Sequence, residues 1–201
     1  MKRVVFYLGG LLFLASVVGG CATTRVERIS PEKVIDLSGR WNDTDSRLVA
    51  EEMVKEALSR PWVDSFVKKR TKQPTVIVGT VVNRSHEHIN VQTFTKDLER
   101  ELTNSGRVLF VASKTEREEV REERQDQQTQ SSEETAKGLG KEVGADYMLK
   151  GNINSIQDEE GGTKVVYYQV TLEMVDIESN LKVWFGDKKI KKIIEKSRIG
   201  F

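Results

Sequence analysis

The 201-residue chain is poor in the residues that disulfides, metal centres and most enzyme sites require. Its single cysteine, Cys21, excludes an internal disulfide framework, a cysteine zinc cluster and an iron–sulfur site. Its formal net charge of +1 argues against a dedicated nucleic-acid binder, which would carry a strongly basic field. No G-x-S-x-G elbow, Walker loop or G-x-G-x-x-G fingerprint occurs in the sequence. We therefore predict a protein without enzymatic activity, cofactor, metal, nucleic-acid partner or small-molecule substrate.

The two histidines, His86 and His88, are the nearest approach to a metal-binding pattern, in the sequence RSHEHIN. Residues two apart in an extended segment point the same way, as metal ligands do. A catalytic zinc ion needs three protein ligands, and the chain has no further histidine. A polar loop is the default interpretation, and a hydrolase or metal binder that uses both histidines and nearby acids is the alternative.

The first twenty residues have the pattern of a secretory signal peptide. Lys2 and Arg3 are followed by an apolar run over residues 4–18 and then by two glycines. The run is too short for a transmembrane span, which needs about 20 apolar residues. We interpret residues 1–20 as a leader that is removed on export.

Val18-Gly19-Gly20-Cys21 resembles the bacterial lipobox. The resemblance implies that the thiol of Cys21 is the lipidation site, carrying acyl chains such as palmitate. Two or three chains make a stable membrane anchor, whereas one gives marginal binding. Ala22, in place of an aspartate, favours the outer membrane over retention in the inner one. An uncleaved anchor, or a signal peptide with a chance cysteine, is the alternative.

Residues 21–32 are predicted to be a lipidated cysteine and a polar tether, which spans about 40 Å at roughly 3.3–3.6 Å per residue. Residues 33–201 then form one α/β (α+β) domain with a mixed sheet and flanking helices. Residues 75–82, 91–104 and 107–112 read as a βαβ unit, and three strands from residue 147 onward as an antiparallel meander. The other predicted elements are a strand over 33–37 and helices over 43–59 (capped by Asp43 or Thr44), 62–69 and 133–143.

Each of two charged segments has a default interpretation and an alternative. Residues 115–130 read as a helix that is polar all round, hence a solvated or partly disordered insert, or else a contact surface for a partner. The basic C-terminus, residues 187–201, reads as lysines that protect an edge strand from aggregation. Its alternative is a docking patch for an acidic partner or for anionic head groups.

Residues 33–58, KVIDLSGRWNDTDSRLVAEEMVKEAL, are the most distinctive stretch. The core DLSGRWNDTDS resembles the opening segment of the LpoB family, outer-membrane lipoproteins that activate penicillin-binding proteins. The likeness continues through TVIVGTVVNRSHEHINVQTFTKDLERELTNSGRVLFV and GADYMLKGNI, to about residue 186. It implies a domain similar to the N-terminal domain of TolB. It also implies a partner, a bifunctional class A penicillin-binding protein, whose glycosyltransferase and transpeptidase the lipoprotein stimulates.

Seven residues match the family segment: Ser38, Gly39, Arg40, Trp41, Asn42, Asp43 and Asp45. We interpret these residues mainly as structural: Trp41 closes the edge of the domain, Gly39 lies in a tight turn and Asp43 caps a helix. The alternative is that Arg40 or Trp41 contacts the partner, because Arg and Trp are common interface hot spots.

One departure from the family concerns the tether. Members that reach across the periplasm carry a long, proline-rich tether, whereas here it has about a dozen residues and one proline, Pro31. The same fold type occurs in secretion lipoproteins of the CsgG kind. An envelope assembly or secretion accessory lipoprotein that acts through oligomerisation is therefore the alternative function.

Overall fold

The computed structural model describes residues 25–138, 140 and 142–195. The predicted leader, the lipobox-like sequence and Cys21 lie outside the described residues. The chain divides into an N-terminal unit that ends at Lys33 and a compact unit from Val34 to Phe201. Within the described ranges, no helix is long and apolar enough to cross a membrane.

The described residues of the compact unit form four helices and five strands. In chain order they are α1 (Asp43–Ser59), α2 (Trp62–Arg70), β1 (Thr75–Arg84), α3 (Val91–Asn104), β2 (Leu109–Phe110), α4 (Lys114–Gln130), β3 (Tyr147–Glu160), β4 (Thr163–Asp176) and β5 (Lys182–Glu195).

The strands form one mixed sheet in the order β2-β1-β3-β4-β5. β1 pairs in parallel with both β2 and β3, whereas β3–β4 and β4–β5 are antiparallel. The predicted fold class, α+β with a mixed sheet and flanking helices, is confirmed, and the β1-α3-β2 stretch is the expected βαβ unit.

The core lies between one face of this sheet and helices α1 and α3. Alternate residues of β4 point into it, with Val166, Tyr168, Val170, Leu172 and Met174 at most 1% exposed. The helices contribute residues at three- and four-residue spacing. From α1 these include Val49, Met53 and Ala57, and from α3 they are Phe94, Leu98 and Leu102.

Three local expectations are wrong. Residues 33–37 form no strand and pair with no other strand of the described chain. The cap of α1 is Asn42 and not Asp43 or Thr44, because Asp45 stands three residues after Asn42 and completes a capping box. β2 is shorter than the predicted strand over residues 107–112.

The helix predicted over residues 133–143 is also absent from the described part of that stretch, which forms turns and irregular chain. Gly138 and Gly140 weaken a helix there. The stretch folds back along α4 instead. Gln128 Nε2 donates to the carbonyl of Lys137 at 2.9 Å, and Arg121 Nε donates to Glu142 at 2.8 Å. Helix α4 itself has no buried residue, which fits the expectation of a solvated helix.

Candidate functional site

Residues 36–42, which contain the sequence SGRWN and are called the RWN segment here, lead into α1 and lie against the end of β5. Gly39 has a φ of +68°, a region that favours glycine. A Cβ at this position would collide with the side chain of Ile194 on β5. The predicted turn at Gly39 therefore depends on glycine for two reasons: the backbone has a positive φ, and β5 approaches too closely to leave room for a Cβ.

Trp41 is half-buried and packs edge-on against two core rings. Its ring centroid lies 6.0 Å from that of Phe94 and 5.6 Å from that of Tyr168. Its indole Nε1 donates to Ser46 Oγ at 2.9 Å. The indole thus donates its only N–H to a group of the same domain, which agrees with a structural role for Trp41.

Glu87 links the RWN segment to the sheet. It accepts from the backbone N–H of Trp41 at 3.1 Å and from the hydroxyl of Tyr168 at 2.7 Å. Burial, followed by the bond to Glu87, raises the pKa of Tyr168. Sequence reasoning did not single out Glu87 for this role, because its partners lie 46 and 81 residues away and no local pattern marks them.

Lys192 of β5 holds the RWN segment from the other side. Its ammonium donates to Asp36 at 2.6 Å, to Asp45 at 2.7 Å and to the carbonyl of Arg40 at 3.2 Å. Asn42 adds a bond from its side chain to Asp36 at 2.7 Å. These bonds hold Asp36 close to β5 and to the start of α1.

The side chains of Lys192 and Asp45 are only 11% and 9% exposed. Burial on its own would lower the pKa of Lys192, but the bonds to Asp36 and Asp45 outweigh burial and raise it. Burial raises the pKa of Asp45, and Lys192 offsets part of that rise. The bond from Lys192 lowers the pKa of the more exposed Asp36. The three groups therefore form one partly buried ionic cluster.

Arg40 differs from its neighbours in the RWN segment. Its side chain is exposed, and no hydrogen bond or ion pair of its guanidinium is found within the described ranges. Its backbone carbonyl is fixed by Lys192. Of the two candidate contact residues, Arg40 has a side chain exposed to solvent on a backbone that is fixed in place. The side chain of Trp41 packs against the core.

The two histidines lie in the loop after β1. The backbone N–H of His86 donates to Ser155 Oγ at 2.9 Å, and His86 Nδ1 lies 3.0 Å from the same oxygen. His88 is exposed. Residues 25–138, 140 and 142–195 contain no group of three or more His, Cys, Asp or Glu side chains that could hold a metal ion.

A family model described as "Peptidoglycan-synthase activator LpoB" matches residues 45–190, more than half of the chain. That range runs from the first turn of α1 well into β5. No curated protein matches the sequence.

Solved structures with a similar chain trace include the LpoB C-terminal domains of Escherichia coli and Salmonella enterica. They are 19% and 18% identical, each match covering 73% of this chain and 98% of the other, and each has a TM-score of 0.43. Lipoprotein GNA1162 from Neisseria meningitidis is 14% identical over 63% of this chain and 88% of its own, with a TM-score of 0.37. On the strength of the match over residues 45–190, the chain belongs to the LpoB family of peptidoglycan-synthase activators.

Proposed function

We propose that this chain is an outer-membrane lipoprotein that binds a bifunctional class A penicillin-binding protein and activates it. The observation that carries the proposal is the family match, which covers both long helices of the core and four complete strands. The lipobox-like leader supports anchoring through Cys21. The protein then acts by contact and not by chemistry of its own.

We also propose how the contact is made. Arg40 is exposed on a backbone that the Lys192 cluster and Trp41 hold in place, so little conformational freedom is lost on binding. A guanidinium forms paired hydrogen bonds with a carboxylate, which gives orientation as well as attraction. Arg40 is therefore the contact residue that we place at the synthase, with Trp41 as its support.

A binding titration tests this assignment. The full chain in detergent is titrated onto the purified synthase as wild type, as Arg40→Ala and as Arg28→Ala, the last being an exposed arginine of the N-terminal unit. We expect Arg40→Ala to raise the Kd about tenfold, as for a hot-spot arginine, and Arg28→Ala to leave it unchanged. Equal Kd values for all three proteins would remove Arg40 from the interface, and no binding by wild type would refute the proposed partner.

Lipidation is tested separately by the intact mass of protein from the native host. We expect residues 1–20 to be absent and the mass to exceed that of the remaining chain by acyl groups. The variant Cys21→Ser should lack them and leave the membrane fraction. A wild-type protein with an intact leader and an unmodified thiol would contradict the anchoring.

A further inference from the structure

The peptide group between Arg40 and Trp41 is held at both of its ends by charged side chains. Its carbonyl accepts from the ammonium of Lys192 at 3.2 Å, and its N–H donates to the carboxylate of Glu87 at 3.1 Å. The C=O and N–H of a trans peptide point in opposite directions, so each charge faces the end of the peptide dipole that attracts it. Hydrogen bonds to charged groups are stronger than those between neutral groups. These two contacts, called the peptide clamp here, therefore fix the orientation of the peptide plane.

The two halves of the peptide clamp come from opposite sides of the sheet. Lys192 lies on the edge strand β5, whereas Glu87 lies in the loop after β1, and β3 and β4 stand between these two strands. Tyr168 of β4 holds the second oxygen of the Glu87 carboxylate at 2.7 Å. Both oxygens of Glu87 are thus engaged within the domain, and one of them is spent on the backbone beside Arg40.

The peptide clamp also sets the position of Arg40. The Cα atoms of Arg40 and Trp41 lie in the plane of the peptide between them, so fixing the plane fixes both atoms. The ring of Trp41 packs against the core on one side. On the other side, the turn at Gly39, which lies against Ile194, sets the rotation that remains. The side chain of Arg40 therefore leaves the backbone in one direction.

We propose that Glu87 is a positioning residue for the synthase contact. Through the peptide clamp it holds Arg40 in the orientation in which the guanidinium meets a carboxylate of the synthase, and Glu87 itself does not touch the synthase. This inference rests on the proposed function, which places Arg40 at the synthase. Ordering the backbone of one residue on binding lowers affinity by roughly five- to thirtyfold. Because Lys192 still holds the carbonyl when Glu87 is lost, the lower end of that range applies.

Three substitutions of Glu87 separate the geometry of the clamp from its charge. The full chain in detergent is titrated onto the purified synthase, and we expect Glu87→Ala to raise the Kd about fivefold. Glu87→Asp keeps the charge but is too short to reach both partners, so it should bind as weakly as Glu87→Ala. Glu87→Gln loses the charge but keeps an oxygen for the N–H of Trp41 and gains an N–H for the oxygen of Tyr168. It should therefore bind like wild type.

Asp146→Ala is the matched control. The carboxylate of Asp146 also accepts a backbone N–H from a distant residue, that of Thr75 at 2.9 Å, but it does so at the opposite end of β1. Asp146→Ala should leave the Kd unchanged. Hydrogen exchange without the synthase tests the clamp itself. The Trp41 amide should exchange faster in Glu87→Ala and at the wild-type rate in Glu87→Gln and Asp146→Ala.

A double-mutant cycle with Arg40→Ala distinguishes positioning from a merely structural role. If Glu87 acts through Arg40, the effect of Glu87→Ala on the Kd disappears when Arg40 is already alanine. If Glu87 only supports the fold, its substitution weakens binding by the same factor in both backgrounds. The cycle is repeated with Glu87→Asp, which removes fewer atoms from the domain than Glu87→Ala does.

The outcomes separate this inference from the proposed function. Wild-type affinity in Glu87→Ala, or an effect that persists beside Arg40→Ala, overturns the positioning role and leaves the proposed function standing. Glu87→Gln binding as weakly as Glu87→Ala assigns the effect to charge, and unchanged exchange at Trp41 shows that Glu87 does not hold the peptide. Either result also overturns the inference. No binding of the synthase by wild type refutes the proposed function and the positioning role together.

Discussion

Removing the ammonium of Lys192 is expected to be one of the most damaging single changes at the RWN segment. In Lys192→Met, Asp45 stays buried, and among the described residues the backbone N–H of Asn42, at 3.0 Å, is the one donor left to its carboxylate. Breaking a buried pair by removing one partner costs about 3–5 kcal/mol, and the 45% exposure of Asp36 places this case at the lower end, about 3 kcal/mol. For a domain of this size, such a loss lowers Tm by about 6–12 °C. The assay is calorimetric or chemical unfolding of the full chain in detergent.

Two further variants make this reasoning refutable. Lys191→Met removes an exposed lysine one residue away and should change the free energy of unfolding by less than about 0.5 kcal/mol. The double variant Lys192→Met/Asp45→Asn should recover part of the loss, since the amide no longer buries a charge. A cost below about 1 kcal/mol for Lys192→Met, or no recovery in the double variant, would show that the ionic cluster does not hold the RWN segment.

Three other predictions concern the turn, α4 and the tether. Gly39→Ala should lower the free energy of unfolding by about 1–3 kcal/mol in chemical denaturation, because the left-handed φ is strained for alanine and its Cβ meets Ile194; an unchanged midpoint would contradict the packing. The bonds from Lys96 and from Ser113 lower the pKa of Glu116 to about 2. Ionised Glu116 therefore stabilises the start of α4 at neutral pH, and this contribution is lost as the pH falls from about 4.5 towards 2. Hydrogen exchange of α4 should therefore be faster in Glu116→Gln than in wild type at pH 7, with the difference vanishing near pH 2, and a constant difference would refute this assignment. Lengthening the tether, residues 21–32, should raise synthase stimulation in cells and leave it unchanged with purified proteins; equal effects in both would show that reach is not limiting.

The elements that the sequence predicts well are those whose signals are local. Phe94, Leu98 and Leu102 repeat at four-residue intervals between the cap Asn90 and Gly106, and α3 begins and ends where these residues place it. The alternation along β4 likewise places Tyr168 and its neighbours in the core. In both cases a single periodicity and a turn residue fix the element without help from distant parts of the chain.

The failures come from contacts between distant parts of the chain. The role of Lys192 depends on Asp36 and Asp45, which lie 156 and 147 residues away, so its place in a basic tail says nothing of the cluster. The apolar residues of KVIDL favour a strand, but residues 33–37 find no strand partner in the described sheet. The predicted helix over residues 133–143 fails because its polar groups find partners on α4.

At the candidate site, too, local signals are visible in the sequence and contacts between distant residues are not. The sequence was sufficient to mark Arg40 and Trp41 as candidates, because both match the family segment and Arg and Trp are common interface hot spots. It could not tell which of them faces solvent, since that depends on the rings of Phe94 and Tyr168 and on the hydroxyl of Ser46. Whether Arg40 touches the synthase stays a prediction.

The most direct test of the account is the rate of glycan polymerisation by the purified class A synthase as the full chain is added. The account predicts that the rate rises and saturates with the amount of chain, that Arg40→Ala shifts the half-maximal concentration upward, and that the chain alone polymerises nothing. A rate that stays flat while the synthase is active and the chain is folded would contradict the claim that this protein is its activator.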